Sequence, residues 1–105
     1  MKKLYIVKKN KDFDLIIKEN NFNKNNSFVV YSRENNLKYN RYGISVSKKL
    51  GNSVFRNKYK RKIRSIIDNY KKDYIIPKDY IIILRKGAIN KSYKELKNDL
   101  ESLIY

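Results

Sequence analysis

The sequence predicts an α+β fold, a small α/β sandwich in which helices cover a central sheet and the elements run α-β-β-α-β-α. Three observations lead there. Apolar residues recur at helical spacing in three separate stretches, short β-branched and aromatic segments lie between them, and no linker or repeat divides the 105 residues. That length makes one domain, residues 1–105.

Residues 12–20 carry Phe13, Ile16 and Ile17 at i, i+3, i+4 with acids near the start, the pattern of a short amphipathic helix. The Asn-rich residues 20–26 mark its end. Residues 28–32, FVVYS, are β-branched and aromatic, and residues 42–47 alternate Ile44 and Val46 with Ser45 and Ser47, so both are strands joined by a polar turn over 34–40. Gly51-Asn52 breaks the chain before a long helix over 54–70. After the single Pro77, residues 80–85, YIIILR, form the continuous apolar run of a strand covered on both faces. Ser92 and Glu95 make a capping box, followed by Tyr93, Leu96, Leu100, Leu103 and Ile104 at helical spacing.

Composition narrows the function. With 26 Lys plus Arg against 10 Asp plus Glu, the formal charge is +16, expensive in self-repulsion unless a polyanion offsets it. Nucleic acid is the expected partner rather than a membrane, and the N-terminus MKKLYIVKKN lacks the apolar core of a signal peptide, so a cytoplasmic protein is expected. The absence of Cys removes a disulfide scaffold, a thiolate metal site and a cysteine nucleophile. The absence of His removes the commonest general base. The acids are scattered and none lies between Asn35 and Ile67, a span with ten Lys or Arg. A protein-built two-metal nuclease site has no ligands there, and no Gly-rich phosphate loop or nucleophile elbow is present. No catalytic residue, cofactor, metal or small-molecule ligand of the protein's own is expected.

Some of the 20 Lys reflect the same bias that fills the chain with 14 Asn and 10 Tyr. The Arg do not: of six, Arg56, Arg61 and Arg64 fall within nine residues, and a planar bidentate fork suits phosphate and base edges. At 100° per residue, about 3.6 residues per turn, Phe55, Tyr59, Ile63, Ile66, Ile67 and Tyr70 gather on the core side of this helix. Arg56, Asn57, Lys60, Arg61 and Arg64 share a neighbouring arc, while Lys58 and Lys62 project from the far side. A merely solvated face carries acids at i,i+4 along its length, and this one has none before Asp68 in the last turn. Phe13, Tyr31, Tyr39 and Tyr42 lie on elements that can adjoin the helix, and aromatic faces beside a basic groove hold single-stranded nucleic acid. Each taken singly is more often a core or sheet residue than a stacking surface.

Residues 51–64, GNSVFRNKYKRKIR, resemble the signature of the bacterial ribonuclease P protein family, which runs Lys, x, Gly, x, Ala, Val, x, Arg, Asn, x, x, Lys, Arg, x, x, Arg. The resemblance extends to Asp12-Phe13, the strand FVVYS, the segment from Tyr42 to Lys48 and Lys49, the strand from Asp79 to Arg85 with Gly87 after it, and the capped last helix. It implies a left-handed strand-helix-strand crossover of the ribosomal protein S5 domain 2-like kind, against the usual hand. It also implies a ribonucleoprotein subunit. The protein would bind a catalytic RNA and help it remove the 5′ leader of precursor tRNA, with Mg2+ held by the RNA. By the same resemblance Arg56, Asn57, Lys60, Arg61, Arg64, Lys48 and Lys49 would meet RNA, and Phe13, Ile17 and Tyr31 would line a cleft for the leader. Ile17 occupies a position often aromatic, and Ser53 one usually Ala. No basic tail follows Tyr105, so no tail contribution is expected.

Two other readings remain open on the residues. A ribosomal-type basic protein would bind RNA without serving cleavage. A DNA-binding module would place the long helix in a major groove, but a strand and Gly51 precede it where a helix-turn-helix has its first helix.

Overall fold

The computed structural model describes residues 5–7, 10–70 and 76–104; Tyr105 lies outside them. Its elements are α1 (Asn10–Lys18), β1 (Phe22–Lys24), β2 (Phe28–Glu34), β3 (Arg41–Ser45), α2 (Ser53–Asn69), β4 (Lys78–Leu84), a 3-10 turn over Lys86–Ala88, and α3 (Tyr93–Ile104). Every predicted helix and strand is present, and one strand is added. The Asn-rich stretch after α1 does end that helix, with Asn20 in the left-handed region at φ 58°, but then continues into β1.

The sheet order is β1-β2-β4-β3. β2 pairs antiparallel with both β1 and β4, and β3 pairs parallel with β4, so α2 is the crossover between the two parallel strands. β4 is therefore central, as its unbroken apolar run requires. Alternation along the strands sorts the two faces. Phe28, Val30, Tyr42, Tyr80, Ile82 and Leu84 face α2 and α3 in the main core, with Tyr59, Ile63, Ile66, Leu96 and Leu100. Ile81 faces the other way into a smaller cluster with Val7 and Ile16, packed by Phe13, Ile17, Tyr31 and Ile83. The helices thus cover both sides of the sheet, α1 alone on one.

Helix ends follow the residues. The Asn52 side chain caps α2 by accepting from the Phe55 amide at 3.0 Å. The capping box of α3 closes in both directions, the Ser92 amide donating to Glu95 Oε1 at 3.1 Å and the Glu95 amide to Ser92 Oγ at 3.2 Å. β3 ends at Ser45, two residues short of the strand expected over 42–47, and Lys48 and Lys49 lie in an exposed turn. There the Ser47 hydroxyl accepts from the Lys49 amide at 3.2 Å and helps bend the chain out of the sheet.

Candidate nucleic-acid interface

α2 presents three stripes. Tyr59, Ile63, Ile66 and Ile67 are buried against the sheet, with Phe55 packed at the edge of the same core. On one flank Arg56 and Lys60 are half-buried and Asn57, Arg61 and Arg64 exposed. The other flank faces α3: Ser65 bonds the Tyr93 hydroxyl at 3.0 Å, Lys62 lies over the Tyr59 ring 4.9 Å from its centroid, and Lys58 is exposed. Three- and four-residue spacing alone separates the two sets, so the helical wheel read from the sequence holds. No salt bridge joins Arg56, Lys60, Arg61 or Arg64 to an acid among the described residues.

Lys60 and Arg64 reach the outer edge of β3. With Ile6, Val7, Phe13, Tyr42, Gly43 and Ile44 they line a groove of about 120 Å³. The segment at Ile6 and Val7 forms one wall, held by a parallel bridge from Ile6 to Tyr42 and a 2.9 Å bond from the Val7 amide to the Tyr42 carbonyl. Phe13 enters from α1 and packs closely against the sheet because residue 43 is glycine. A Cβ there would stand 2.7 Å from the Phe13 ring and 2.8 Å from Ile81 Cδ1, inside van der Waals contact.

The three predicted cleft residues come together. Phe13 and Ile17, four apart on α1, both pack at the cluster that holds Tyr31 of β2, with Ile16 fully buried between the helix and Ile81. Of the other aromatics, Tyr42 faces the main core and stacks on Tyr80 with centroids 5.6 Å apart. Tyr39 meets Tyr5 edge-on at 5.3 Å. Lys48 and Lys49 sit in the turn leading toward α2, outside the groove lining.

Sequence reasoning missed the support of this face. Asp79, fully buried, lies directly between Arg41 and Arg33 on the neighbouring strands. Arg41 donates to it twice, Nε at 2.8 Å and Nη2 at 2.6 Å; Asn35 Nδ2 adds a bond at 2.9 Å, and Arg33 Nε stands 3.8 Å away. Burial alone would raise the Asp79 carboxyl, but the bonds from Arg41 and Asn35 and the charges of both arginines carry it below the ordinary carboxylate value. The same bonds raise Arg41 above its own. A second network ties the turn after β1 to α3. Lys91 Nζ donates to Ser27 Oγ and Asp99 Oδ2, each at 2.8 Å, and lowers the Asp99 carboxyl with help from the Ser27 hydroxyl. Neither network leaves a local pattern in the sequence, because Asp79 lies 38 and 44 residues from Arg41 and Asn35, and Ser27 lies 64 and 72 residues from Lys91 and Asp99.

The family model described as Ribonuclease P matches residues 1–105. The ribonuclease P protein component of Streptococcus pneumoniae (strain Hungary19A-6) is 47% identical over 100 residues, covering 95% of this chain and 81% of that protein. The solved RNase P protein of Staphylococcus aureus is 44% identical, with a TM-score of 0.85 over 95% of this chain and 92% of that one. That of Thermotoga maritima is 32% identical, with a TM-score of 0.84 over 91% of each.

Proposed function

Because the chain belongs to the ribonuclease P protein family, and so to the subunits of a tRNA-processing endoribonuclease complex, we propose that α2 binds the complex's catalytic RNA while the cleft beside α1 holds the 5′ leader of precursor tRNA. The observation that supports this reading best is the meeting of Lys60 and Arg64 with Phe13 at one groove. Two cations from the basic helix and an aromatic ring from the opposite face of the sheet offer one strand both phosphate contacts and a stacking surface. Asn57 and Arg61, exposed on the same flank, and the half-buried Arg56, one turn before Lys60, are then left for a second, larger RNA.

In this reading the protein does no bond-breaking. The RNA holds the Mg2+ ions that activate water and stabilise the leaving oxygen. The protein supplies positive charge, which lowers the repulsion between two polyanions, and fixes the leader so that the scissile phosphate reaches those ions. Arg forks bind phosphate in a defined orientation, whereas a diffuse counterion would not.

The test is cleavage of precursor tRNA by a bacterial ribonuclease P RNA at low magnesium, with and without this protein. Protein-dependent formation of the correct 5′ end is expected, and a basic peptide of equal charge should not reproduce it. Binding to ribosomal RNA with no stimulation of cleavage would favour the ribosomal-type reading instead.

A further inference from the structure

Phe22 is an exposed aromatic ring that packing does not require. It opens β1, a three-residue edge strand whose residues are all exposed, and it is 39% accessible in a stretch otherwise made of Asn, Lys and Ser. An edge strand of this kind is ordinarily polar, since an exposed apolar edge invites association. Yet Phe22 is held in place, with its ring centroid 5.2 Å from that of Tyr31 at a 45° tilt.

The strand register gives the pair a direction. Gly43 pairs with Ile81, Ile81 with Tyr31, and Tyr31 with Phe22, one continuous row across all four strands. All four lie on the α1 face. Phe13 rests on Gly43 at one end of the row, beside Lys60 and Arg64, and Phe22 stands at the other. Three strand spacings separate the ends, about 14 Å, on the order of four steps of a stacked strand at about 3.4 Å each. By alternation Lys24 shares this face, paired with Val29 one row further along. The row therefore begins at a basic groove with an aromatic ring and ends at an aromatic pair with a Lys next to it.

We propose that Phe22, backed by Tyr31 and flanked by Lys24, is a second base-stacking station, which takes a nucleotide of single-stranded RNA further from the cleavage site than the one at Phe13. The proposal rests on the cleft holding the precursor tRNA leader, and it makes affinity depend on leader length. A leader of one or two nucleotides ends before β1. A leader of eight or more is long enough to pass α1, which covers Ile81 in the middle of the row, and stack on Phe22.

The experiment uses the complex of this protein with a bacterial ribonuclease P RNA, and measures binding of precursor tRNA with a leader of two or of ten nucleotides. Phe22→Ala is expected to weaken binding of the long-leader substrate by about fivefold or more, the effect of removing one base-aromatic stack, and to leave the short-leader substrate unchanged. Phe22→Leu, which keeps an apolar contact to Tyr31, should show the same loss, and Phe22→Tyr should restore binding. Phe13→Ala serves as the control for the cleft itself. If Phe13→Ala weakens binding and Phe22→Ala does not, the second station is wrong and the cleft stands. If neither does, the leader lies elsewhere and both readings fail. Equal losses with both leader lengths, or full activity of Phe22→Leu, would assign Phe22 a packing role and overturn the proposal.

Discussion

Asp79→Ala is expected to lower stability by about 3 kcal/mol, and with it the thermal midpoint by roughly 12–24 °C for a domain of this size. Removing one member of a buried ion pair leaves the others without compensation, which costs about 3–5 kcal/mol in general. The lower end applies here because Arg33 and Arg41 are 24% and 23% exposed and regain some water. The loss is also visible in acid. The folded Asp79 carboxyl lies below its unfolded value, so its contribution is complete above the ordinary carboxylate range near pH 4 and disappears as pH falls through the folded value. Asp99, lowered by Lys91 and Ser27, acts in the same direction. Wild-type melting temperature should stay level from neutral pH to about pH 4 and then fall. In Asp79→Asn that fall should be shallower, with the Asp99 share remaining. A melting series against pH checks both, and an unchanged acid limb in Asp79→Asn would contradict this account.

The second large effect concerns RNA. Arg61→Ala and Arg64→Ala should each weaken binding of the catalytic RNA or precursor tRNA by about tenfold or more, since a hydrogen bond to a charged partner contributes about 1.5–3 kcal/mol. Lys58→Ala and Lys62→Ala should cost no more than about threefold. All four remove one positive charge, so bulk electrostatics predicts equal losses. The difference lies in which flank of α2 each occupies: Arg64 lines the groove, whereas Lys62 lies over the Tyr59 ring outside the groove lining. Binding measured against salt adds an independent check, because a lost phosphate contact lowers the slope of log K on log salt by about one. Equal losses and equal slopes in all four variants would reduce the face to net charge.

What was legible in the sequence was local. The two flanks of α2 follow from spacing within 17 residues, and the cap at Ser92 from a three-residue offset, whereas Asn52 was legible only as a break before the helix. YIIILR announced a doubly covered strand because both faces of β4 are buried. β1 was not legible, since Phe22 stands alone beside Asn23 and Lys24, which have little strand propensity, and the three pair only because β2 offers a free edge. Asp79 was one of ten scattered acids until the register set it between Arg33 and Arg41. The convergence of Phe13 with Lys60 required a glycine at 43 and the placement of α1 across the sheet, both matters of tertiary contact. Asn20, Asn36 and Asn90 show the composition from another side. All three adopt positive φ, at 58°, 57° and 72°, where many chains use glycine and this one has only three.

The central position of β4 also orders events in time. Sheet order β1-β2-β4-β3 means that β2 and β3, though made early, share no hydrogen bonds with each other and wait for a strand that begins at Lys78. A ribosome that has released only residues 1–77 has produced one small hairpin, an unsupported basic helix and no strand to pair with β3 beyond the single bridge at Ile6. Such long-range closure is slow relative to helix formation. The cleft face, the groove at Gly43 and the Arg41–Asp79 pair therefore all come into being in one late step. Until then α2 is already cationic but has no sheet to hold its two flanks apart. The proposed RNA face is in this sense complete only once β4 has been made, and protection of β3 amides in a pulse-labelled synthesis should rise together with that of β4.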